Sequence, residues 1–160
     1  MIMKLNFSLP LILLFLISLG GYAAGPLEYE IVGTGSGTQG TYLVKVYVVS
    51  KKNKPDADLL KKCAVHGVLF KGFSSQESRV SQKALAGSTL AEQEHSDFFE
   101  PFFKDGGGYQ NYADMVTAQY DIVKMDKKQY RIGATFSVSK DRLRKDLEKA
   151  GVIKRLGSGF

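Results

Sequence analysis

Apolar residues alternate through 41–50, with Tyr42, Val44, Val46 and Val48 on one side of an extended chain and Leu43, Tyr47 and Val49 on the other. Period two predicts a β-strand, and apolar residues on both sides predict a central strand covered on both faces. A shorter β-type run, Tyr29 to Val32, precedes it across the glycine-rich loop 33–40. A second alternation sets Tyr130, Ile132, Ala134, Phe136 and Val138 inward and Arg131, Gly133, Thr135, Ser137 and Ser139 outward. It pairs as a hairpin with 120–125 around Asp126-Lys127-Lys128.

Three stretches follow the helical period instead. Pro55 and Asp56 suit a first turn, and Leu59, Cys63, His66 and Phe70 then form one stripe with Leu60, Ala64 and Gly67 beside it. Thr89-Leu90-Ala91-Glu92 has capping-box spacing, and the stripe behind it is Ala91, His95, Phe98 and Phe102. Pro101 is expected to kink or end that helix near Glu100, and Asp105-Gly106-Gly107-Gly108 to close it. The last helix takes Ser139 as N-cap, carries Leu143, Leu147 and Ala150, and ends on Gly151 as a left-handed cap. Residues 71–88 show no period and read as a long loop; 154–160 read as a frayed tail.

These elements predict an α+β fold, a two-layer sandwich in which two hairpins make a mainly antiparallel four-stranded sheet with about three helices on one face. Tyr29-Glu30-Ile31-Val32 is echoed by Tyr120-Asp121-Ile122-Val123, and Tyr42 with Val49-Ser50-Lys51 by Tyr130 with Val138-Ser139-Lys140. The echo fits a diverged duplication of a ββα unit and fits equally the repetitive chemistry of hairpins.

With 160 residues, 44% hydrophobic and 24% charged, the composition excludes a disordered tail or a fibre and leaves one small globular domain. A single cysteine excludes an internal disulfide framework and a four-cysteine zinc site. At the N-terminus, Lys4, the apolar run from Leu9 to Leu19 and small residues at Gly20, Gly21, Ala23 and Ala24 have the anatomy of a secretory signal peptide. The expected organisation is a signal peptide over 1–23 and one α+β domain over 24–160. No cysteine stands near the cleavage site to carry a lipid anchor, so the expected product is periplasmic or extracellular, not a lipoprotein, and without a transmembrane span. In that oxidising setting Cys63 is expected to be buried.

Charge is distributed as net +3 over 24–71, −5 over 72–123 and +7 over 124–160. The basic C-terminal segment offers one alternative function, binding an anionic polymer. An export signal and the acidic middle segment argue against nucleic acid.

Gly35-Ser36-Gly37-Thr38-Gln39-Gly40 matches G-x-G-x-x-G, but a dinucleotide site needs a helix to open there, and a strand follows. The run is expected to be a hairpin connection. Cys63 and His66 lie on an apolar stripe, where a packed cysteine is expected rather than an activated nucleophile. His66, His95 and Cys63 with a carboxylate such as Glu94 or Asp97 are the alternative, a hydrolase or metal-dependent enzyme. The expected cofactor and metal are none. In the run 98–103, Phe98 and Phe102 are expected to face the core. Phe99 and Phe103, with Tyr109 and Tyr112, are the candidate partner-binding residues.

The stretches Gly40 to Val46, Lys62 to Phe70 and Leu143 to Lys154 resemble those of a family of exported bacterial envelope proteins with no assigned activity. That resemblance implies export and brings no catalytic residue or cofactor. The expectation is therefore an exported, non-catalytic module that binds another envelope component.

Overall fold

The computed structural model describes residues 26–35, 37–75, 79 and 81–155, so the segment read as a signal peptide lies outside the described residues. Strands β1 (Glu30–Gly35) and β2 (Tyr42–Ser50) form the first hairpin, and β6 (Asp121–Asp126) and β7 (Gln129–Val138) the second. The short β5 (Ala113–Met115) shares an edge of β7 with β6, so the antiparallel sheet runs β1-β2-β7 and then β5 and β6 end to end. The fold is the expected α+β one, with helices gathered on the inner face of the sheet.

The two hairpins meet through β2 and β7, with Tyr42 opposite Val138, Val46 opposite Ala134 and Ser50 opposite Tyr130. Tyr42 and Tyr130, the echoed residues of the two halves, thus sit at opposite ends of one ladder. An approximate two-fold relation between β2 and β7 passes through the Val46–Ala134 pair. The outer strands keep that relation less closely, because Glu30 faces Tyr47 whereas Asp121 faces Gly133.

Strand β2 is central, yet only one of its faces is covered: Val44, Val46 and Val48 are buried, while Val49 is 58% exposed on the other. On that outer face Tyr47 lies across Gly133, where any Cβ would meet its ring, and the Arg131 guanidinium stacks 3.5 Å from the ring centroid. Arg131 is paired with Glu30 at 2.6 Å, and Lys45 with Asp121. The expected apolar cover of this face is replaced by ion pairs laid over an aromatic ring.

Helix α1 (Ala57–His66) starts where Asp56 accepts a hydrogen bond from the Leu59 N–H, then runs into a π-helical turn, Gly67–Lys71. Leu60, Cys63, Ala64, Val65, Val68, Leu69 and Phe70 are all buried, a broader face than one stripe. The helix lies between the sheet on one side and aromatic residues on the other, which explains that breadth. The segment read as a long loop holds a two-stranded ladder, β3 (Phe73–Ser74) with β4 (Ser81–Gln82). Gly72 permits it: at φ +70°, ψ −177° only glycine is comfortable, and a Cβ would run into the Gln82 carbonyl.

The second predicted helix is broken. Helix α2 (Thr89–Glu94) ends at His95, and α3 (Ser96–Phe103) begins a new phase. Pro101 sits inside α3 rather than ending it, and the donor it removes is outweighed by Phe99 and Phe102, which are buried on either side. The inward pair is therefore Phe99 and Phe102, spaced i, i+3. Phe98 and Phe103 are half-buried against the core. In α4 (Lys140–Lys149), Leu143 and Leu147 are buried, Ala150 is exposed, and Gly151 has the expected left-handed φ of +75°. Ser139 precedes it without a side-chain capping bond.

Candidate functional site

A cleft of about 550 Å³ opens where the N-terminal segment, the end of α1 and α2 converge; Leu27, Lys62, His66, Lys71, Glu92 and Phe103 are on its wall. His66 lines it and is 7% exposed. Gly67 lets the N-terminal segment close on this point, since a Cβ there would stand 2.5 Å from Ile31 Cδ1 and 3.2 Å from the Tyr29 ring.

Both ring nitrogens of His66 are engaged, Nδ1 by the Tyr29 hydroxyl at 2.6 Å and Nε2 by Glu92 Oε2 at 3.1 Å. An ionised carboxylate only accepts, so Nε2 carries the proton toward Glu92. In the neutral ring Nδ1 then accepts from Tyr29. Burial lowers the His66 pKa; Glu92 opposes that effect, and Lys71 adds to it. Burial pushes the Tyr29 hydroxyl well above its ordinary value. The result is a Tyr–His–Glu chain of hydrogen bonds that links the N-terminal segment, the end of α1 and α2.

Glu92 reaches His66 because the cap lies one residue earlier than the sequence spacing implies. The N-cap is Ser88, whose Oγ accepts from the Leu90 N–H at 3.3 Å. A capping box on Thr89 would have turned Glu92 back onto its own helix. Lys62, one helical turn before His66, points its ammonium at Asp105 (2.9 Å) and lies 5.3 Å from the centroid of the Tyr109 ring. Lys71 donates to the Tyr29 carbonyl at 3.2 Å, with its Nζ 3.7 Å from the centroid of the same tyrosine.

The candidate partner-binding residues do not form one patch. Phe99 and Tyr109 belong to the core, because the break at His95 turns Phe99 inward and Tyr109 is anchored by its hydroxyl to Asp58. They present no surface to a partner, which corrects the expectation for both. Phe103 does reach the cleft, 5.5 Å from His66 between ring centroids. Tyr112 lies elsewhere, its hydroxyl on Asp146 at 2.7 Å and Arg142 over its ring. Lys140 lies likewise over Tyr42, so part of the basic charge of α4 is spent on neighbouring rings.

Cys63 is buried as expected, and burial pushes its thiol up to about 12, far from the thiolate a nucleophile needs. His66 has no ring nitrogen left to serve as its base. His95 sits apart at the break between α2 and α3, and among the described residues no three His, Cys, Asp or Glu side chains gather as a ligand set. Tyr29, Glu92, Lys62 and Lys71 were not singled out from the sequence. The i, i+4 spacing of Lys62 and His66 was the local signal for one of them; the other three depend on long-range packing. Among the described residues no helix is long and apolar enough to cross a membrane. No protein-family model, curated protein or solved structure matches the chain, so the reading of this site rests on its geometry.

Proposed function

We propose that this chain is an exported, non-catalytic module of the bacterial envelope that holds another envelope component in the cleft beside His66. Export is supported by the charged, apolar and small-residue order of the first 23 residues. The observation that carries the binding reading is the open cleft itself, walled by apolar side chains and lysines around a fixed imidazole. The two bonds of the imidazole tie the N-terminal segment to α2 and so fix the wall of the cleft. Burial holds the Cys63 thiol protonated, away from the thiolate that thiol chemistry uses.

A cleft of this size with apolar and charged walls lies in the range of small-ligand sites. The test is capture from envelope extract by immobilised protein, comparing wild type with Gln93→Trp, which fills the cleft from α2, and Val49→Trp on the outer sheet face. Loss of the captured component in Gln93→Trp alone supports the reading. Equal retention by all three proteins overturns it. Hydrolytic turnover lost in His66→Ala, with the fold intact, would replace it with an enzyme.

A further inference from the structure

We infer that the group entering this cleft is an amphipathic carboxylate, one anionic head on an apolar body; this rests on the binding reading and names its ligand class. Lys71 carries the inference. Its ammonium is held by the Tyr29 carbonyl at 3.2 Å and by the Tyr29 ring, so its position is set before any ligand arrives. An ammonium has three donors, and no carboxylate of the described residues pairs with this one. The cations of the outer sheet face differ in this respect: Lys45 is matched by Asp121 and Arg131 by Glu30.

Lys62 supplies a second positive charge in the lining of the cleft. Its partner Asp105 has a side chain 96% exposed, and such a pair is weak and screened, so an incoming carboxylate can exchange with it. Among the described residues that line the cleft the one acid, Glu92, is turned onto His66 Nε2. A ligand carboxylate therefore meets the Lys71 ammonium while the local anion is already hydrogen-bonded. Leu27 and Phe103, both partly buried against the core, give the apolar body its contact. Charge-assisted hydrogen bonds to the head and burial of the tail then act together.

Octanoate is the probe, with 1-octanol and octylammonium as matched controls, followed by amide chemical shifts of the isotope-labelled protein. The expected result is octanoate binding that shifts amides of 62–71 and 89–94, at least tenfold tighter than either control. Lys71→Gln should weaken it tenfold or more in protein whose circular dichroism shows the fold retained, and Lys62→Gln should weaken it less. Octylammonium binding as tightly as octanoate, octanoate affinity indifferent to Lys71→Gln, or no octanoate binding would each overturn the ligand class. If the ligand class fails while Gln93→Trp still abolishes capture from envelope extract, the binding reading stands. If capture survives Gln93→Trp, the reading itself falls.

Discussion

Tyr29 and His66, 37 residues apart, share a 2.6 Å hydrogen bond with their rings edge to face, and that contact joins the segment leading into β1 to the end of α1. Through Nε2 the same imidazole holds Glu92, so one side chain ties together three stretches that the sequence separates. Tyr29→Phe keeps the ring and deletes only the donor, leaving a buried Nδ1 unsatisfied. The expected loss is about 1–3 kcal/mol, measured by denaturant unfolding. A loss within experimental error would show that the bond does not fasten the segment.

Acidification should loosen the same junction. Burial lowers the His66 pKa, Glu92 opposes the shift and Lys71 reinforces it, with Tyr29 and Cys63 adding no charge near neutrality. Below about 6.5 the unfolded imidazole binds a proton that the folded one resists, so stability rises with pH through that interval and is lost as pH falls. The melting temperature of wild type should drop between about pH 7 and 5, and His66→Gln should flatten that part of the profile.

The aromatic run offers a sharp contrast. Phe99 is 2% exposed and packs edge-on against Phe70, so Phe99→Ala should cost about 3–5 kcal/mol. Phe98, half-buried, should cost clearly less when truncated. Thermal melts of the two variants decide the matter, and equal losses would contradict the helix phase described for α3.

Cys63 should resist alkylation in the folded protein, being buried and held as a thiol by a pKa near 12. It should react at once in denaturant. Rapid labelling under native conditions would mean that α1 does not pack as described.

Much of the fold was legible because strand alternation is a local signal. The inward set Ile132, Ala134, Phe136 and Val138 and the central place of β2 both follow from period two. The outer face of β2 was misread because Tyr47 and Val49 look like core residues, while Gly133 and Arg131, which make room for Tyr47 and cover it, lie on another strand. The phase of 98–103 was missed because nothing local announces the break at His95. The cleft was the least legible feature. His66 was visible on its stripe, but Tyr29, Lys71 and Glu92 become neighbours only after the N-terminal segment closes over Gly67 and Ser88 takes the cap.

On the proposed function the cleft, and not the open sheet face, receives the partner. Photo-crosslinking in intact cells tests it most directly, with a benzophenone amino acid placed at Gln93 on the cleft wall or at Val49 on the outer sheet face. A discrete crosslinked product that is competed by octanoate is expected from position 93, and none from position 49. A product from position 49 with none from position 93 would contradict it.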